Sequence, residues 1–394
     1  MTPTSPTGVR IEAIETFAVA PRWILVRVRA SDGTEGWGEA IVPKRRRAVT
    51  GAVADLADNI VGEPADHIED LTWRMRNGAF FRGGPILETA AAAVEQALWD
   101  IKARRLGVPV HDLLGGAVRT TVRAYAWVGG DRPRDLVEHT RARQAQGFDM
   151  VKLNATEELD LIESAHQLDA VVTRVAELRD AVGNDVDIAL DFHGRVHRAV
   201  ARALIRELDQ FGLMWIEEPL PPGHEDAYPA VIPPDRSTPI ATGERLTSRM
   251  AMRGLLADGV VDVLQPDVSL TGIGELVAIA RMAEAYDVAV APHCPNGPVS
   301  LAASLQVASA SRNVPVLEQS VGLHYNQGYG GLPTGEIFDY LTDPAPLRTQ
   351  AGRFAVPQGP GLGIEMDTDA VTGSPPWSLR DPVWRLPDGR SAEW

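Results

Sequence analysis

A single cysteine, Cys294, in 394 residues leaves no disulfide framework and no cysteine-rich zinc site, and it fits a reducing compartment. No stretch approaches the roughly 20 apolar residues that span a bilayer. Positive charge is in deficit: 38 Lys and Arg face 53 Asp and Glu, for a formal charge of −15. So acidic a chain repels phosphate backbones and anionic lipid, so neither nucleic acid nor membrane is expected as a partner. Met1 to Gly8 has no basic head leading into an apolar core; it does not read as a signal peptide, and a cytoplasmic location is expected. No G-x-G-x-x-G follows a β-prone run, which removes the dinucleotide fingerprint. The glycine-rich run at 328–331 lacks the Gly-Lys-Ser/Thr ending of a phosphate loop.

What is there is an ordinary soluble composition, 44% apolar and 23% charged, long enough for two domains or one barrel with additions. Arg10–Ala20 and Trp23–Arg29 are β-prone, and Ser31-Asp32-Gly33-Thr34 signals a turn before Gly36-Trp37-Gly38-Glu39. Helical spacing follows over Val49–Ile60 and Glu88–Arg105, the second ended by Gly107 and Pro109. Strands followed by helices predict an α+β domain over residues 1–120. From Thr121 the pattern becomes βα alternation. Strands are expected at Val122–Val128, Met150–Leu153, Val186–Leu190, Leu213–Ile216, Pro239–Thr242, Val261–Leu264, Val288–Ala291 and Pro315–Leu317. Helices are expected between them, among them Arg134–Gln146, Ala165–Val182, Ala199–Phe211 and Ile273–Ala285. Eight such strands within residues 121–340 predict a parallel barrel. The stretch 341–394 is rich in Pro and Gly, yet Trp377, Trp384 and Trp394 suggest that it packs on something.

Barrel chemistry sits at the C-terminal ends of strands. Those ends carry Lys152, Asp191 with His193, Glu217 with Glu218, Glu244, Asp267, His293 and Glu318. Asp191, Glu217 and Glu244 are spaced by 26 and 27 residues, about one βα unit each, which would aim three carboxylates into one mouth. Converging acids repel one another unless a cation intervenes, and all-oxygen ligation suits Mg²⁺ better than zinc. His193 and His293 would flank that ion as proton carriers, with Asp267 placed to orient His293. Cys294 would point away from His293, which argues against a thiol nucleophile. Arg45-Arg46-Arg47 reads as a solvated basic face, or as a cap element that meets an anionic substrate.

These residues resemble the mandelate-racemase group of the enolase superfamily. The likeness is carried by DFHGR at 191–195, WIEEP at 215–219, ATGER at 241–245, LQPDVS at 264–269, APHCPNGPVSLAA at 291–303 and EQS at 318–320. It extends through PRW at 21–23, GWGE at 36–39, FRGGPI at 81–86, QALWDIK at 96–102, WVGGDRP at 127–133, HYNQG at 324–328 and the final AEW. Within the group, the pattern is most similar to that of the D-galactonate dehydratases. The resemblance implies a (β/α)7β TIM-like barrel, an α+β capping domain, and a C-terminal stretch that returns to the cap. It implies one Mg²⁺ per active site on Asp191, Glu217 and Glu244. It makes His293, oriented by Asp267, the base at C2, His193 the acid at the C3 hydroxyl, and Glu318 a carboxylate near the substrate. Lys152, Asn154, Arg45 and Trp23 are the substrate-binding residues it suggests. The implied reaction is dehydration of an aldonate, D-galactonate foremost, to a 2-keto-3-deoxy acid by a hydro-lyase; homo-oligomers are expected by analogy. Two departures stand out. Lys152-Leu153-Asn154 lacks the second Lys of racemases, and Pro43-Lys44 replaces a Glu-Gly of the cap loop. Other aldonates, a C2 epimerase and a non-catalytic sugar-acid binder remain as alternatives.

Overall fold

Three antiparallel strands, β1 (Ile11–Val19), β2 (Trp23–Ala30) and β3 (Glu35–Ala40), pair in that order, the last two joined by the turn expected at residues 31–34. The structure, a computed structural model, describes residues 8–319, 335–375, 377 and 383–393. The HYNQG and 328–331 motifs, Ser320 and Trp394 lie outside the described residues. On one face of the small sheet pack α1 (Arg46–Ile60), α2 (Ile68–Asn77) and α3 (Pro85–Leu106), followed by a single turn, α4 (Val110–Leu113). The contact with α3 is unusually close. A Cβ on Gly38 would lie 1.7 Å from the Ala93 carbonyl oxygen, so only glycine lets the strand backbone rest on the helix. α2 was not expected from the sequence, because it buries only Ile68 and Leu71, a stripe too thin to read as helical periodicity.

The barrel strands are β4 (Thr121–Val128), β5 (Met150–Asn154), β6 (Asp187–Asp191), β7 (Trp215–Glu217), β8 (Ile240–Thr242), β9 (Val263–Leu264), β10 (Ala289–Val290) and β11 (Val316–Gln319). Each falls within or beside one of the eight expected runs. β4 to β10 pair in sequence, all parallel, and β11 returns to pair with β4. Seven helices alternate with them: α5 (Leu136–Ala145), α6 (Ala165–Val182), α7 (Arg198–Leu208), α8 (Tyr228–Val231), α9 (Arg249–Asp258), α10 (Val268–Glu284) and α11 (Pro298–Ala310). This is the expected (β/α)7β architecture beside an α+β cap. α10 begins five residues earlier than expected and turns through a kink at Gly272.

The C-terminal stretch serves both parts. β12 (Thr349–Gln350) and β13 (Arg353–Ala355) form a small hairpin, and β13 pairs antiparallel with β4 of the barrel. Beyond α12 (Thr368–Gly373), Trp377 is buried in the cap's core. Trp384 lies under the Arg132 guanidinium, 3.7 Å from ring centre to Cζ. Among the described residues no helix is long and apolar enough to cross a membrane.

Inside the barrel, Tyr125, Met150, Ala189, Trp215, Ala241, Val263, Ala291 and Val316 form one packed layer, with Tyr125 edge-on to Trp215. Strand side chains alternate with period two, so the residue two positions later on each strand faces the same interior, one layer nearer the mouth. That layer reads Trp127, Lys152, Asp191, Glu217, Gly243, Gln265, His293 and Glu318. The fold thus converts a strand period into a ring of polar groups on an apolar floor.

Candidate active site

Register places the carboxylates side by side: Asn154 pairs with Asp191 across β5 and β6, and Asp191 with Glu217 across β6 and β7. Glu244 follows β8 by two residues. Trp127, Lys152, Asn154, Asp191, His193, Glu244, His293, Pro295 and Glu318 line one small cleft of about 40 Å³, so these groups surround a few reacting atoms rather than a whole substrate.

Lys152 occupies the middle of the acids. Its Nζ lies 2.7 Å from Glu217 Oε1, 2.8 Å from Glu318 Oε1 and 3.6 Å from Asp191 Oδ2. Burial alone would lower this ammonium, but Glu217, Glu318 and Asp191 outweigh it and raise Lys152 well above the usual lysine range. The other Glu217 oxygen accepts from Gln265 Nε2 at 2.7 Å and Trp215 Nε1 at 3.0 Å. Glu244 instead pairs with Arg245, 2.9 Å away, and comes within 3.5 Å of His293 Nε2. Burial would raise Glu244; Arg245 and His293 overcome it and hold the carboxyl far below its ordinary value. Asp191 goes the other way. Burial first, then Glu217, push it well above the carboxylate range despite Lys152.

The sequence led us to expect these three acids to converge on an ion. Among the described residues no group of three or more His, Cys, Asp or Glu side chains is arranged to hold a metal ion. Lys152 stands among these acids instead, paired with Glu217 and near Asp191, while Glu244 pairs with Arg245. The donor chemistry nevertheless fits a hard divalent cation. All three donors are buried carboxylates, and Asp191 is lifted by burial and then by the like charge of Glu217, both of which a cation would offset.

The two histidines are held differently. His293 Nδ1 lies 2.8 Å from Asp267 Oδ2, and Asn296 Nδ2 donates to both Asp267 oxygens at 3.1 and 2.9 Å. Burial would lower the His293 imidazole, but Glu244, Glu318 and Asp267 raise it to about 9. His193 sits in the left-handed region with φ 55, its N–H donating to Asp191 Oδ1 at 2.6 Å. Arg195 donates from Nη2 to His193 Nδ1 at 2.8 Å, and burial together with Arg195 drives this imidazole well below its usual range.

Two expected residues fall elsewhere. Trp23, the first residue of β2, is buried edge-on to Tyr340 and against Gly297, where the cap packs onto the barrel. Arg45 is exposed on the cap and lines a separate surface pocket with Lys44, Arg46, Arg47 and Trp377. Neither lines the cleft. Lys152 and Asn154 do, and Cys294 is buried with its N–H on Glu318 Oε2 at 3.0 Å. Sequence reasoning missed Arg195, Arg245, Gln265 and Asn296. All four flank named site residues in the motifs, which was the only signal available.

Residues 5–115 match the family described as "Mandelate racemase / muconate lactonizing enzyme, N-terminal domain", and residues 135–370 match "Enolase C-terminal domain-like". The chain belongs to the enolase superfamily. Superfamily relatives span it end to end. It is 46% identical to a D-galactonate dehydratase of Ralstonia nicotianae over 391 residues, covering 98% of this chain and 100% of that one. It is 44% identical to a D-galactonate dehydratase of Xanthomonas euvesicatoria over 389 residues, with the same coverage of each. Among solved structures, an enolase from Agrobacterium radiobacter, bound to Na and L-malate, superposes with a TM-score of 0.86 at 30% identity, covering 97% of this chain and 99% of that one. A member of the enolase superfamily from Salmonella Typhimurium gives 0.83 at 27% identity, covering 93% and 98%.

Proposed function

We infer that this protein is a sugar-acid hydro-lyase of the enolase superfamily that converts D-galactonate to 2-dehydro-3-deoxy-D-galactonate. The observation that carries the reading is the pair of oppositely backed imidazoles facing one carboxylate-rich cleft, in a chain alike over its whole length to D-galactonate dehydratases.

Asp191, Glu217 and Glu244 would hold Mg²⁺, with Glu217 turning from Lys152 to the cation. Bound there, Mg²⁺ would offset the negative charge that develops on the substrate carboxylate as the C2 proton leaves. A cation held by Glu244 would weaken that carboxylate's pull on His293, and the step uses the imidazole in its neutral form. With Nδ1–H donated to Asp267, His293 presents the Nε2 lone pair and takes the C2 proton, and the C2–H electrons form the enediolate. Those electrons then form the C2–C3 double bond as the C3–O bond breaks. An Arg guanidinium only donates, so His193 Nδ1 is the acceptor and Nε2 carries the proton that departing hydroxide takes. Water leaves, and the enol tautomerises to the 2-keto acid. Lys152, released from Glu217 and still paired with Glu318 at 2.8 Å, would be left to meet the substrate carboxylate.

The test is a 2-keto-acid assay over a stereochemical panel of aldonates and aldarates with Mg²⁺, repeated in EDTA. Product from D-galactonate, abolished by EDTA, is expected. Product from another acid alone would move the specificity to the basic cap loop at Pro43-Lys44, and no product from any acid would overturn the reading.

A further inference from the structure

The cap touches the reacting residues along one buried polar seam. Glu39, near the end of β3, is 1% exposed and reaches across to the start of α11. Its Oε1 accepts the Gly297 N–H at 2.6 Å and its Oε2 the Ser300 N–H at 3.0 Å. A Cβ on Gly297 would lie 2.9 Å from both Glu39 and Trp23, so the loop meets the cap backbone-first. Ser300 and Ser269 share a hydroxyl hydrogen bond of 2.6 Å, and the Ser269 N–H donates to Asp267 Oδ1 at 2.7 Å. Asn296, next to Gly297, holds both Asp267 oxygens, and Asp267 in turn holds His293. Two more cap side chains grip the Asp267 loop by its carbonyls: Gln96 donates to Val268 at 3.1 Å and Thr89 to Ser269 at 2.6 Å.

We propose that Glu39 is a positioning residue for the Asp267–His293 pair: from the cap it pins the Asn296–Ser300 turn, which sets the direction of Asp267 and so the place where His293 Nε2 meets the C2 proton. The proposal rests on the reading of His293 as the base. On it, the cap does more than cover the substrate, because its third strand supplies part of the scaffold for proton abstraction. Misplacing a catalytic group by about 1 Å costs on the order of 100-fold in rate.

Substitution can separate this role from mere cohesion between cap and barrel. Burial, with Asp267 nearby, pushes Glu39 up to about 7 against the pull of the Ser300 and Gly297 N–H groups. A carboxyl raised on folding binds its proton more tightly in the folded chain. Above that pH its charge therefore works against stability, and neutral glutamine should not unfold the protein. Glutamine can still accept one N–H, but its NH₂ faces the other donor and the turn must shift.

The experiment measures Glu39→Gln, Glu39→Asp and Ser300→Ala with Mg²⁺ and the acid that the wild type dehydrates. For Glu39→Gln, kcat is expected to fall about 10- to 100-fold while KM stays within about 3-fold, and the melting temperature near pH 8 is retained. The isotope effect with C2-deuterated substrate should rise, because proton abstraction becomes slower than the other steps. Glu39→Asp, which keeps two accepting oxygens, should recover part of the rate. Ser300→Ala cuts only the hydroxyl link and should cost about 3-fold. Wild-type kcat and isotope effect in both Glu39→Gln and Ser300→Ala overturn the proposal, as does a loss of kcat that merely follows a loss of melting temperature. Wild-type turnover in His293→Asn would instead remove the base assignment itself, a separate failure.

Discussion

His293 and His193 face the same cleft from different strand ends, and the groups behind them are opposite in sign. Asp267 accepts from the back of one ring, and Arg195 donates to the back of the other. The first arrangement leaves Nε2 of a neutral imidazole as an acceptor; the second leaves it as a donor. One residue type is thereby made into a base on one side and a proton source on the other, without any difference in the imidazole itself. The two rings also titrate in opposite directions: against burial, Glu244, Glu318 and Asp267 raise His293 to about 9, whereas burial and then Arg195 drive His193 far down. Lys152 lies between these regions and tempers the acids on both sides.

The comparison can be broken most severely at His293. His293→Asn should lower kcat by roughly 10³- to 10⁴-fold in a folded protein, since the loss of a positioned base is worth that much; a drop of only a few-fold, measured by keto-acid formation, would place the base elsewhere. Lys152→Met leaves buried carboxylates uncompensated, and in EDTA should cost about 3–5 kcal/mol of stability by urea unfolding. Added Mg²⁺ should restore much of that difference, whereas an undiminished midpoint in EDTA would mean that the acids are protonated rather than paired. Arg195→Lys removes the planar donor behind His193 and should slow dehydration about 10- to 100-fold. If Arg195→Lys dehydrates at the wild-type rate, the guanidinium does not set the His193 tautomer.

Much of this site was legible in the sequence because a barrel repeats. A 26- to 27-residue βα period located Asp191, Glu217 and Glu244 on neighbouring strand ends, and their register in the sheet agrees for the first two. What was not legible depends on contacts that no local pattern encodes. Glu39 meets Gly297 across 258 residues of chain, and Lys152 meets Glu217 across 65. β12 and β13 are two and three residues long and exist as strands only because they form a hairpin on β4. Trp23 and Arg45 were expected at the substrate and do not line the cleft, for a related reason. An aromatic at the start of a cap strand and a basic run after one read alike whether they face substrate, core or solvent; here the first is buried and the second exposed.

The division of labour between the two rings is tested most directly by following the C2 hydrogen in D₂O alongside keto-acid formation. In His193→Asn, C2 should go on exchanging with solvent while dehydration stops, because His293 still removes and returns the proton. In His293→Asn both should stop. Exchange that vanishes in His193→Asn and persists in His293→Asn would contradict the account, since it would make His193 the base and leave His293 as the acid.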